Sequence, residues 1–163
     1  MRMRSDGRRS HGRRIGAWAA AMLVALIASA CSVPRWPVDG TISSPFGLRR
    51  MGFWPDIHHG VDIPLPVGTP VRAMMGGTVA YAGQMRGYGN VVMIDHGRRA
   101  LSVYAHLSTI EVKTGDKVKG QQVIGLSGAS GNATGPHLHF EIRRDGWPED
   151  PVAMLGGFPK PRR

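Results

Sequence analysis

Short β-type runs closed by glycine set the terms on which this chain can fold. Between residues 69 and 144 it reads "TPVRAMM", "GTVAYAG", "NVVMIDH", "ALSVYAH", "QQVIGLSG" and "HLHFEIRR", and no stretch carries a long helical period. Glycine is frequent, 23 in 163 residues, because tight turns need positive φ and a ligand groove needs close backbone approach. The expected fold class is mainly β, an antiparallel β-sheet domain built from hairpins.

The start of the chain belongs to something else. Residues 1–14 hold six arginines against a single acid, Asp6, and the apolar run "IGAWAAAMLVALIASA" follows up to Ala30. A basic stretch, an apolar stretch of this length and small residues at its end make an export signal peptide. The run is shorter than the roughly 20 residues of a spanning helix, so an uncleaved anchor is the lesser reading. The paired Arg13 and Arg14 sit in poor surroundings for a twin-arginine signal. "ASAC" resembles a lipoprotein signal in which Cys31 is lipidated and becomes the first mature residue. Ala28 stands where that signal usually has leucine, and Ala28-Ser29-Ala30 also fits ordinary cleavage. Lipidation is favoured because Cys31 is the only cysteine, and an exported free thiol has no internal partner. The expected organisation is a signal peptide over 1–30, a Pro-containing linker over 31–39, one compact domain over 40–156 and a disordered basic tail over 157–163. The expected location is the cell envelope, as a periplasmic lipoprotein.

Removing the leader changes the meaning of the charge. The whole chain is +10, but residues 31–163 carry 15 Lys and Arg against 10 Asp and Glu, leaving +5. That balance suits an anionic envelope polymer or lipid headgroups. With no basic helix and no nucleic-acid motif, nucleic-acid binding is not expected.

The histidines carry the chemistry. In "HLHFEIRR", read as a strand, His137, His139, Glu141 and Arg143 share one face, while Leu138, Phe140 and Ile142 share an apolar one. In "HHGVDIPLP", an extended reading places His58, Gly60 and Asp62 together, with nothing bulky between imidazole and carboxylate. In "ALSVYAHLS", Ser102, Tyr104 and His106 fall opposite Leu101, Val103 and Ala105. Three strands thus each set a histidine on a polar face. Two histidines and one carboxylate are a common zinc set that leaves a fourth position for water. A bound zinc lowers the pKa of that water from about 16 toward 7. Left-over histidines suit proton transfer and oxyanion support.

At this point the chain resembles a known family, the lysostaphin-like or LytM-type zinc metalloendopeptidases. The phrases that carry the resemblance are "HHGVDIPLPVGTPVRA", "GTVAYAG", "VVMIDHG", "YAHLS", "GDKVKGQQVIGLSGASGNATGPHLHFEIRRDG" and "DPVAML". They run in family order over roughly residues 40–155. The resemblance implies an antiparallel β fold with a narrow groove over one zinc ion. It implies His58 and Asp62 of HxxxD and His139 of HxH as zinc ligands, with His106 of YxH and His137 as the catalytic pair. It implies peptidoglycan peptides as substrate.

Other residues take plainer readings. His59 is expected to point away from the metal as a structural residue, and His96 to be a turn or rim residue. Glu141 is expected to pair with Arg143, and Met74 and Met75 to pack. "MGFWPDI" departs from the usual family phrase and bears on substrate preference. A β-barrel carrier domain, for which "GDKVKGQQVIG" is reminiscent, lacks a modifiable lysine in "RAMMGG". Some relatives have lost zinc ligands and activate cell-wall amidases, several of them as lipoproteins. A silent-site activator with an amidase partner is therefore the competing function, but all five positions are present here.

Overall fold

The computed structural model describes residues 33–51 and 54–161; the leader and Cys31 lie outside the described residues. The strand that organises the rest is the one whose alternation is cleanest. Eleven strands occur among the described residues: β1 (Gly47–Met51), β2 (Trp54–His58), β3 (Val61–Pro64), β4 (Pro70–Arg72), β5 (Gly77–Met85), β6 (Gly89–Asp95), β7 (Ala100–Ile110), β8 (Lys117–Val118), β9 (Val123–Ser127), β10 (His137–Arg144) and β11 (Trp147–Glu149). A one-turn helix, α1 (Pro151–Met154), is capped by the Asp150 carboxylate accepting from the Val152 amide. Strands β1 and β2 form their own hairpin. The others make one antiparallel sheet in which β10 lies between β3 and β7. The mainly antiparallel β expectation holds.

Two registers place the site. His139 stands directly opposite Asp62 on β3 and opposite Ala105 on β7. Directly opposed residues in an antiparallel pair project from the same face. On the reverse face Leu138, Phe140 and Ile142 are buried with Val61, Ile63, Val92, Ile94 and Tyr104. Each such side chain contributes about 1.5–3 kcal/mol when fully buried. The site is therefore one face of a sheet whose other face is the core.

Two expectations at the ends are corrected. Residues 33–39 are bound along the domain instead of forming a free linker. The Arg35 amide donates to Met74 O, the Arg72 amide to Pro37 O, and the Trp36 indole N–H to Gly157 O at 3.0 Å. Val38 is buried, and Trp36 packs on Phe140 with ring centroids 5.9 Å apart. The tail, expected disordered, has Pro159 buried and Lys160 O accepting from the Gly40 amide. Apolar side chains in both segments found a shared flank of the domain, and prolines alone did not make them linkers.

His96 is the turn residue expected, and it closes a half-buried polar chain. Its Nδ1–H donates to Gly76 O at 2.9 Å, so Nε2 accepts from the Ser102 hydroxyl at 2.7 Å. Ser102 in turn meets the Tyr104 hydroxyl at 2.9 Å, which also accepts the Met74 amide. Burial lowers the His96 pKa below its ordinary 6.5, although the Gly76 carbonyl pulls the other way. Because the folded value is the lower one, the neutral form's stabilisation is complete above about pH 6.5 and is lost as pH falls through the folded value. The urea midpoint of wild type should therefore drop more between pH 7 and pH 5 than that of His96→Gln. Equal drops would show that this chain of hydrogen bonds is indifferent to His96 protonation.

Candidate metal centre

His58 and Asp62 reach the site by a route simple alternation does not describe. The strand breaks at residues 59–60, with β2 ending in the small hairpin and β3 opening in the main sheet. Gly60 lets this break pack closely against β10. A Cβ there would lie 2.3 Å from Phe140 O and 2.8 Å from Glu141 Cγ. Gly60→Ala should thus push β3 off β10, costing about 1–3 kcal/mol, and should impair metal uptake through the Asp62–His139 register. Denaturation and zinc titration of that variant check it; wild-type behaviour in both would contradict the close-packing account.

Three candidate ligand atoms converge. His58 Nε2 lies 3.2 Å from Asp62 Oδ1, His139 Nδ1 lies 2.8 Å from the same oxygen, and the two nitrogens are 3.1 Å apart. Four ligands at about 2.0–2.1 Å around a tetrahedral zinc stand about 3.3 Å from each other. The observed triangle is close to one face of that tetrahedron. The far sides of the imidazoles are already committed: His58 Nδ1–H donates to Pro45 O at 2.8 Å, and His139 Nε2 meets Glu141 Oε1 at 2.9 Å. The bare nitrogens face one another and a carboxylate.

The electrostatics agree with a cation site. Burial pushes the Asp62 carboxyl up, but the His139 and His58 rings beside it outweigh that and hold it well below the usual carboxylate range. Burial opposes charge on His139, yet Asp62 and Glu141 raise its pKa above the ordinary imidazole value. The pocket draws positive charge to this point. Arg49 ion-pairs with Asp56 at 2.8 Å and reaches the second Asp62 oxygen at 3.6 Å.

His137 and His106 stand beside the triangle. His137 Nδ1–H donates to Gly135 O at 2.8 Å, leaving Nε2, which lies 3.7 Å from Asp62 Oδ1. His106 Nδ1–H donates to Ser130 O at 2.8 Å, and its ring is 4.6 Å from that of His137. Both imidazoles thus keep Nε2 as an acceptor. Burial lowers the pKa of His106, against the pull of the Ser130 carbonyl, which favours a neutral base.

The expected shared face of Ser102, Tyr104 and His106 is not what forms. Tyr104 is fully buried on the core side, opposite Phe140, and burial pushes its phenol up to about 12. Strict alternation would carry His106 to that side too. His106 instead adopts φ +61°, with its amide donating to Tyr88 O at 2.9 Å, and its ring joins the site. A non-glycine residue in the left-handed region is uncommon and carries strain that the surroundings must hold.

The five residues singled out from sequence, His58, Asp62, His106, His137 and His139, all line one cavity of about 340 Å³. His59 lines its mouth too, exposed and outside the ligand cluster. Glu141 does pair with Arg143, at 2.6 Å. Sequence reasoning missed its second bond, to His139, although Glu141 was already on the right face. It also missed Tyr88, Arg49 and the Ser130 carbonyl, which lie outside the three histidine phrases read as strands.

With this geometry established, known proteins resemble the chain as follows. Residues 56–151 match the model for Peptidase family M23. The chain is 46% identical over 116 residues to the DD-carboxypeptidase/endopeptidase Mpg of Neisseria meningitidis, covering 69% of this chain and 26% of that protein. It is 38% identical over 122 residues to the murein hydrolase activator NlpD of Salmonella dublin, covering 74% of this chain and 31% of that one. The chain thus spans about a quarter to a third of these relatives' lengths. The catalytic domain of lysostaphin from Staphylococcus simulans superposes with a TM-score of 0.66 at 35% identity, over 71% of this chain and 91% of that domain.

Proposed function

Since the chain belongs to peptidase family M23, a zinc-dependent family, we propose that it is an exported zinc metalloendopeptidase that cuts peptide bonds in peptidoglycan stems or cross-links. The observation that carries this reading is the triangle of His58 Nε2, Asp62 Oδ1 and His139 Nδ1, with two further imidazoles beside it. Zinc held there would supply an acidified water and a Lewis acid for the scissile carbonyl. His58, Asp62 and His139 would hold the ion. Of His106 and His137, whose Nδ1–H groups are tied to backbone carbonyls, one would take the proton of the attacking water at Nε2, and the imidazolium so formed would steady the developing oxyanion. The open cavity receives an extended peptide.

Among the described residues no helix is long and apolar enough to cross a membrane. Lipidation of Cys31, one of the two processing routes open to the leader, would make this an envelope lipoprotein. Lipoproteins occur among its relatives.

The similarity to an NlpD activator supports a second reading, a protein that binds peptidoglycan and switches on an amidase. The complete set of five residues favours catalysis. Chromatography of purified cross-linked muropeptides incubated with the protein and zinc separates the two. Zinc-dependent conversion of dimers to monomers by the protein alone supports the peptidase. Release of still cross-linked stem peptides from the glycan, seen only when an amidase is added, would support the activator.

A further inference from the structure

Behind His139 lies a buried carboxylate that the proposed chemistry does not use. Glu141 is fully buried, two residues along β10 on the same face. Its Oε1 meets His139 Nε2 at 2.9 Å and accepts the Tyr88 hydroxyl at 2.7 Å. Its Oε2 accepts Arg143 Nε–H at 2.6 Å, and Arg143 Nη2 donates to the Tyr88 hydroxyl at 2.9 Å, closing a ring of three side chains. A buried charge is costly unless paired and hydrogen-bonded on every side, so such a ring is built around a task or a fold requirement.

We propose that Glu141 is a positioning residue for the metal: Tyr88 and Arg143 clamp it so that it takes Nε2–H of His139 and leaves Nδ1 bare toward His58 and Asp62. This rests on the zinc reading above. Imidazole can carry its proton on either nitrogen, and only one tautomer offers a lone pair to the ion. A carboxylate acceptor fixes that tautomer, holds the ring plane and makes the ligand more basic. The backbone is shaped to permit this, since Gly60 leaves the space next to Glu141 Cγ that a side chain would fill. Tyr88 serves two parts of the site. Its hydroxyl clamps Glu141, and its carbonyl accepts the amide of left-handed His106. One residue thus ties a ligand's support to the placement of a catalytic histidine.

The test is zinc affinity, measured by competition with a chromophoric chelator on full-length protein in mild detergent. Wild type, Glu141→Gln and Tyr88→Phe are compared, with circular dichroism of each metal-free protein as the fold control. Glu141→Gln should weaken zinc roughly 10- to 100-fold, and its cobalt-loaded form should show a shifted visible spectrum. Tyr88→Phe, which loses one hydrogen bond to the carboxylate, should weaken zinc in the same direction by less. That variant keeps the test decisive even where Glu141→Gln misfolds. Wild-type affinity and an unchanged cobalt spectrum in a folded variant would overturn the positioning role while leaving the zinc centre intact. Failure of wild type itself to bind zinc would remove the zinc reading and this inference together.

Discussion

Alanine at His139 leaves the protein unable to hold zinc at micromolar metal and unable to cut peptidoglycan; that is the first expected result. Three facts combine to make the effect large. His139 supplies one of three converging candidate ligand atoms, and its Nδ1 lies 2.8 Å from Asp62 and 3.1 Å from His58. A catalytic zinc site has only three protein ligands, so losing one leaves two. The remaining pair includes Asp62, whose Oδ1 has the two imidazoles as its nearest side-chain neighbours. Asp62→Ala should do the same, because its Oδ1 is the point shared by both histidines. Chelator treatment of wild type should mimic both variants, and added zinc should reverse it in wild type alone. Isothermal titration with zinc and a muropeptide assay check the pair of claims. A His139→Ala protein that still binds one zinc tightly would place the metal elsewhere.

The second large effect separates binding from chemistry. His137→Ala and His106→Asn should retain zinc while turnover falls about 100- to 10,000-fold, the usual worth of positioned proton transfer. Neither residue is in the ligand triangle, and each has its Nδ1–H anchored on a carbonyl. Asparagine is the replacement at position 106 because φ there is +61°, a conformation alanine disfavours and asparagine tolerates. The double variant should be scarcely worse than either single one, since groups acting on one proton are not additive. Zinc content by elemental analysis beside kcat resolves this. Loss of zinc in His137→Ala would move that residue from the proton-handling pair into the ligand set.

Where side-chain alternation and chain-local packing govern, the sequence was a good guide. Strand β10 behaves as its period of two demands, with His137, His139 and Glu141 on one face and Leu138, Phe140 and Ile142 in the core. The empty space at Gly60 between His58 and Asp62 was also visible, though its purpose, clearance from Phe140 O, was not. What stayed hidden depends on backbone events that composition does not encode. His106 turns toward the site through a left-handed residue, so Tyr104 and His106 part company despite their spacing. The break at 59–60 likewise joins two sheets where an unbroken strand was the simpler reading. The clamp on Glu141 needed Tyr88, 53 residues away, and the docking of Trp36 and Val38 needed a flank built from both ends of the domain. Partner choice at such distances is a tertiary property.

The central claim, that this chain itself hydrolyses a peptide bond with zinc, meets its most direct test in mass spectrometry of purified sacculi. The digest uses wild type and His137→Ala, each with zinc and with chelator, and no other enzyme present. New fragments whose masses sum to the parent plus one water, split at a peptide bond and formed only by zinc-loaded wild type, are the expected result. Sacculi left intact by a folded, zinc-loaded wild type across several wall chemistries would contradict it and leave the activator in its place.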